Sequence, residues 1–160
     1  MTEAGLKPQI DPAFNFSVTI DGLVTLGEFM EVSSITQSID VLEYDEAGTP
    51  YPRAFIGPLK QERVVLKWGM VNSSVFSDWL VKVKYGMKFR YNVTIYHYAR
   101  GPVGSATQPP PPLRTYLLRG AFPSRWSTPG MNSMSAEVPM EELELIYNYM
   151  TVTVTPPASV

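Results

Sequence analysis

Residues 88–98 alternate polar and apolar side chains without a break. Phe89, Tyr91, Val93, Ile95 and His97 point one way, and Lys88, Arg90, Asn92, Thr94, Tyr96 and Tyr98 point the other. A period of two held that long fits a strand with one buried face and no other regular structure. The same period sets Phe14, Phe16, Val18 and Ile20 on one side of residues 14–21, and Val64, Leu66 and Trp68 on one side of residues 62–68. Proline reinforces the constraint. There are 15 in 160 residues, about twice the usual share of roughly 5%, and they punctuate strands and break long helices.

The rest of the chain is placed around these strands. Asp21-Gly22 is a hairpin signal. A second strand is expected over residues 24–35, with a bulge at Gly27, and a third over 37–44 returning beside it. Residues 45–60 hold two glycines and three prolines without a sustained period, and are expected to form a partly ordered loop or extended arm. Val75, Phe76, Trp79, Leu80 and Val83 make one helical stripe. Asn72, Ser73 or Ser74 can cap its start, and Gly86 suits the position past its end. Residues 100–112 form a Pro-rich loop, 113–122 a strand, 123–133 an irregular stretch and 136–147 a last strand with a bulge at Glu141-Glu142. An N-terminal arm (1–12) and a C-terminal tail (151–160) complete a single domain over residues 1–160. The fold class is all-β: a barrel or sandwich of about six to eight strands with one flanking α-helix. No internal repeat recurs at a fixed period.

Composition excludes much chemistry. There is no cysteine and one histidine, His97, so thiolate zinc sites, redox motifs, disulfides and multi-histidine metal sites are ruled out. Net charge is −2, which leaves no overall nucleic-acid footprint. The apolar runs are too short to span a membrane, and the start lacks a basic-then-apolar leader. The expectation is a soluble protein made in the cytoplasm. His97 shares a face with Val93 and Ile95 and has no nucleophile motif beside it, so it reads as structural. Glu43, Asp45 and Glu46 lack the spacing of a calcium loop, and Glu137, Glu141, Glu142 and Glu144 fit the polar face of a strand. Gly101 and Gly104 precede no lysine and open no helix, and Pro109 to Pro112 make a stiff exposed loop. No catalytic residue, cofactor or metal site is assigned.

Charge falls in blocks. Residues 1–50 hold nine acidic and one basic residue, 51–132 hold twelve basic and two acidic, and 133–160 add four glutamates. Such blocks either interleave across the fold or make complementary ends that stack head to tail, and a head-to-tail contact repeats into a filament.

Three ordered stretches, taken together, carry a more specific signal. The first is Asp11-Pro-Ala-Phe-Asn-Phe-Ser-Val-Thr-Ile-Asp-Gly22 followed by Gly27-Glu-Phe29-Met30-Glu-Val-Ser33. The second is the strand-to-helix junction Leu66-Lys-Trp-Gly through Asn72-Ser-Ser74 to Trp79-Leu80. The third is Gly120-Ala-Phe-Pro-Ser-Arg-Trp126, with the closing strand around Leu143-Glu-Leu145. Together they span about residues 11–150 and resemble one family, the tail tube proteins of contractile phages and the inner tubes of phage-tail-like contractile injection systems. The chain departs at Asn72, where the family favours aspartate, at Ser34-Ile35, and in a longer Pro-rich loop.

The resemblance implies a β-barrel with a flanking helix, hexameric rings and a hollow tube driven through a target envelope by a contracting sheath. The implied partners are other copies of the chain, the sheath protein, baseplate or hub and cap proteins, and luminal cargo, either an effector protein or DNA. Phe29, Met30, Tyr51, Arg53, Phe55 and Lys60 are expected at the oligomer interface, since aromatics and arginine dominate interface energetics. The alternatives are a baseplate tube initiator of the same family and a monomeric β-barrel ligand-binding module.

Overall fold

The computed structural model describes residues 16–23, 29–69, 74–87, 89–98, 112–134 and 136–156. Several expectations therefore lie outside the described residues: Phe14, Gly27, the caps Asn72 and Ser73, the N-terminal arm, the last residues of the tail, and all but the end of the Pro-rich loop.

The chain runs β1 (Phe16–Ile20), β2 (Phe29–Val32), β3 (Gln37–Tyr44), β4 (Arg53–Gln61), β5 (Val64–Gly69), α1 (Val75–Lys84), β6 (Tyr91–Tyr98), β7 (Pro112–Ser127), β8 (Met140–Ile146) and β9 (Tyr149–Val154). The expected strand-dominated class with one helix holds. Seven strands join in the order β1-β6-β7-β8-β5-β2, with β9 on the first half of β7, while β3 and β4 form a separate pair. All pairings are antiparallel.

Strand β7 is the hinge of the architecture. Its first half lies between β6 and β9, and its second half pairs with β8. The chain turns the corner at Gly120, whose φ of 63° lies in the left-handed region. Opposite it, the kink between β8 and β9 is at Tyr147-Asn148, where the Asn148 amide donates to the Arg119 carbonyl at 2.9 Å. A Cβ on residue 120 would sit 2.6 Å from Asn148 Nδ2, so both the backbone angle and the close approach require glycine.

One core lies inside the bend. Val18, Ile20, Val93, Ile95 and Leu118 come from one side, and Val64, Leu66, Trp68, Leu143 and Leu145 from the other. Helix α1 packs beside β7 and buries Phe76 and Trp79. Trp79 Nε1 donates to the Phe89 carbonyl at 3.0 Å, so the side chain buries its ring without stranding its polar atom. The helix ends in a Schellman motif: Gly86 N–H donates to the Val83 carbonyl and Met87 N–H to that of Lys82.

The structure corrects five local expectations. Strand β1 does not hairpin with β2; it pairs with β6, and β2 joins β5. Strand β3 returns beside β4 rather than β2, so residues 53–60 of the expected loop belong to a strand and only the stretch before them turns. Strand β7 runs on through Pro123, which the sequence marks as a breaker. Pro123 sits where the β7–β8 register shifts, and a bulge tolerates a residue without an N–H. The β5–β8 register is unbroken past Glu141-Glu142, because Glu141 is itself buried in phase with Leu143 and Leu145. Residues 151–154 of the expected tail belong to β9.

Candidate assembly surfaces

The β3–β4 hairpin stands apart from the rest of the sheet. Among the described residues each of its strands pairs only with the other, and nearly every residue along it is exposed. In register, Val41 faces Ile56, Leu42 faces Phe55 and Tyr44 faces Arg53. Neighbouring residues of a strand point to opposite faces, so Leu42, Tyr44, Arg53 and Phe55 lie on one face and Val41 and Ile56 on the other. Ile56 is 86% exposed and Phe55 53%. Both faces of this ribbon are therefore apolar and in solvent. A lone two-stranded hairpin is marginal in water, and this one holds its apolar surface outward. Its salt bridges, Arg53 Nε to Glu46 Oε2 at 3.0 Å and Lys60 Nζ to Asp40 Oδ2 at 2.8 Å, are exposed. They contribute at most about 1 kcal/mol each.

The remaining interface candidates separate. Tyr51, in the hairpin turn, is 79% exposed. Met30 is exposed and lies above Gly69, where a Cβ would be 3.8 Å from its sulfur. Phe29 is half-buried, with its ring 5.8 Å from both Trp68 and Phe76, and so backs Met30 from the core side. Tyr51, Arg53, Phe55 and Lys60 are thus brought together on one hairpin, while Phe29 and Met30 are on β2. Ile39, Val41, Leu42, Tyr44, Ile56 and Leu59 complete the apolar ribbon and are absent from the sequence-based set. Their signal was present as adjacent apolar pairs, Val41-Leu42 and Phe55-Ile56, which load both faces of a strand.

Open strand edges are a second kind of surface. Among the described residues, β1 pairs only with β6, β2 only with β5 and β9 only with β7. Each leaves a row of backbone donors and acceptors free for another chain. Along β9, Tyr149, Val152 and Val154 are exposed.

The polar face across β5 and β8 is already neutralised within the chain. Lys67 Nζ lies 3.2 Å from Glu31 and 3.6 Å from Glu142. The hydrogen bond to Glu31 holds its ammonium above the usual lysine value, with Glu142 adding to the effect. Glu144 accepts from Ser124 Oγ and from Arg63 Nη1, both at 2.7 Å. Those bonds, Ser124's first, hold its carboxyl below the usual value. Burial pushes the Tyr147 hydroxyl up.

His97 lines an open groove of about 300 Å³ with Phe16, Val32, Ser33, Ile35, Ile95 and Tyr116; no described carboxylate lines it, and the Ser33 hydroxyl there is bonded to backbone, donating to the Ser34 carbonyl and accepting from the Val65 N–H. Among the described residues no three acidic or histidine side chains converge as a metal site. No helix among them is long and apolar enough to cross a membrane.

An antiparallel sheet bent around one core, a single flanking helix and a hairpin carried off the body define a protein of the tail-tube type. The chain belongs to the T4-like virus tail tube protein gp19 family, whose model matches residues 12–151. This confirms the resemblance carried by the three sequence stretches. No curated protein matches the sequence. Among solved structures it is similar to a chain of the anti-feeding prophage baseplate, at 19% identity and a TM-score of 0.75, covering 92% of this chain and 98% of that one. A chain of the PVC sheath-tube complex of an extracellular contractile injection system matches at 20% identity and a TM-score of 0.75, covering 92% and 94%. Hcp1 from Flavobacterium johnsoniae matches at 13% identity and a TM-score of 0.54, covering 89% and 97%. At these identities the likeness is one of fold.

Proposed function

We propose that this chain is the inner tube subunit of a contractile phage tail or contractile injection system. It assembles as hexameric rings, the rings stack into a hollow conduit, and the conduit is driven through a target envelope when a surrounding sheath contracts. It has no enzymatic role. Its partners are other copies of itself, the sheath, baseplate and cap proteins, and an effector protein or DNA in the lumen.

The observation that carries this is the β3–β4 hairpin, with exposed apolar side chains on both faces and, among the described residues, no further strand paired with it. A ribbon of that kind gains stability when each face packs on another subunit. Tyr51, Arg53, Phe55 and Lys60 are contacts within this ribbon, and Met30, backed by Phe29, belongs to a second contact on β2. The open edges of β1, β2 and β9 support pairing between neighbours in a ring.

Negative-stain electron microscopy of the purified chain at rising concentration tests the proposal. Rings or hollow tubes are expected; a uniform monomer at every concentration, with the chain missing from sheared native particles, overturns it. The similarity to a baseplate chain keeps a second reading, a tube initiator. Copy number in the native particle separates the two, since an initiator adds only one or two rings and a tube subunit supplies many.

A further inference from the structure

Two surfaces of this chain carry opposite, unspent charge. The tip of the hairpin holds Glu43, Asp45 and Glu46. Only Glu46 is paired, to Arg53, and Glu43 and Asp45 form no salt bridge among the described residues. Tyr44 and Tyr51 stand exposed beside them.

The second surface lies at the end of α1. Lys82 and Lys84 occupy its last turn, and Arg90 follows just before β6. None of the three meets a carboxylate among the described residues. Lys82 Nζ lies 5.2 Å from the centre of the Phe89 ring. The Arg90 guanidinium lies 4.8 Å from that of Phe122 and donates to Asn148 Oδ1 at 2.7 Å. Val81, Tyr85 and Met87 are exposed around these cations, and Val83, Phe89, Arg90 and Phe122 line a shallow depression of about 170 Å³ between them. Cations over aromatic rings beside bare apolar side chains make a seat for an acidic, aromatic segment.

The chain's own geometry makes that contact intermolecular. Gln61, at the root of the hairpin, donates to the Asn148 carbonyl at 2.9 Å, and Arg90 binds the side chain of the same Asn148. The root therefore lies next to the basic seat. The tip is a strand length away, roughly 25 Å at about 3.3 Å per residue, and cannot reach it within one molecule.

Building on the tube-subunit reading, we infer that the acidic tip of one copy docks on the basic, apolar seat at the end of α1 in the next copy. Donor and acceptor patches differ, so the contact is heterologous and repeats from copy to copy in a closed ring or an open stack. Complementary charge fixes the register of the tip, and Tyr44 and Tyr51 supply the apolar contact with Tyr85 and Met87.

Charge reversal tests the pairing. One variant carries Glu43→Lys with Asp45→Lys, a second carries Lys82→Glu with Lys84→Glu, and a third carries all four changes. Assembly is read by sedimentation and electron microscopy. Each of the first two is expected to need at least a tenfold higher concentration than the parent. The third restores assembly, and so does an equimolar mixture of the first two, because each then offers the other the charge it lacks. Reversal on either side without effect, or no rescue by the third variant and the mixture, overturns the contact while parent tubes leave the tube reading intact. A parent that never assembles overturns both.

Glutamates at the end of α1 oppose the helix dipole, so a second measurement avoids them. The chain has no cysteine, and Tyr51→Cys and Tyr85→Cys place single thiols on the two surfaces. A mixture of the two variants, distinguished by a mass tag, is expected to give mixed disulfide dimers well above the yield of either self-pair. A yield no higher than that of Tyr51→Cys paired with an exposed thiol elsewhere, at Thr153→Cys, counts against the proposal.

Discussion

Arg63 reaches from the start of β5 to Glu144 on β8, its Nη1 donating to Oε1 across 2.7 Å. The same oxygen accepts from Ser124 Oγ on β7 at 2.7 Å, so one carboxylate ties three strands on the outer face of the sheet. Ser124 and then Arg63 hold its pKa below the ordinary value of about 4.5. A carboxyl whose pKa is lower when folded stabilises the fold when ionised. That contribution is complete above the ordinary value and is lost as pH falls through the lower folded one. Glu144→Gln removes the charge and keeps an acceptor. The parent is expected to melt above the variant at about pH 6, and the gap to close as pH falls below the ordinary carboxylate range. A gap in melting temperature that stays constant over that range contradicts the assignment.

The corner at Gly120 makes a separable prediction. Gly120→Ala forces a Cβ into the left-handed region, at about 1–2 kcal/mol, and onto Asn148 Nδ2 at 2.6 Å. For a chain this long the angle alone lowers Tm by about 2–8 °C, and the collision adds to it. Asn148→Ala removes the obstructing amide, so Gly120→Ala should cost less in that background. Equal costs in both would show that the side chains do not compete for the same space.

Trp79 is the anchor of the helix, 1% exposed and with its ring centre 5.3 Å from that of Tyr91. Trp79→Ala is expected to cost about 3–5 kcal/mol in denaturant unfolding. Trp79→Phe retains most of the packing but strands the Phe89 carbonyl, at about 1–3 kcal/mol. The order matters more than the values. A Phe variant as damaged as the Ala variant would mean that the hydrogen bond, not the ring, holds α1 on the sheet.

Half of this architecture was legible in local patterns. Strands with one buried face declare themselves by alternation, and β1, β5, β6 and the helix fell where their periods placed them. What escaped was set by pairing partners. Asp21-Gly22 makes its turn, but nothing local says that the next strand joins the other side of the core. Pro123 reads as a break, yet the register shift beside it excuses its missing N–H. Strand β3 falls on the expected 37–44, but its partner β4, and with it the ribbon, was hidden for a different reason. Alternation reports one wet and one dry face, and a strand with apolar residues on both faces has none to report. Gly57-Pro58 then made residues 53–60 look like a loop. The surface with the most to say about assembly was therefore the least periodic part of the chain.

That ribbon supplies the last prediction. Phe55 and Ile56 are adjacent and point to opposite faces, both in solvent within a single copy. Phe55→Asp and Ile56→Asp each charge one face and disturb only a cross-strand pair, with Leu42 and Val41 respectively. Each is expected to change the stability of the isolated subunit by about 1 kcal/mol or less. If both faces pack on neighbouring subunits, each substitution buries an unpaired carboxylate in an interface, and the concentration needed for assembly rises at least about tenfold. Sedimentation against concentration reads this directly, with thermal melting of the dilute subunit as the control for folding. Loss of assembly in one variant alone would mean that the ribbon lies on a single neighbour and keeps its other face for a different partner. Normal assembly in both would remove the hairpin from the tube contacts altogether.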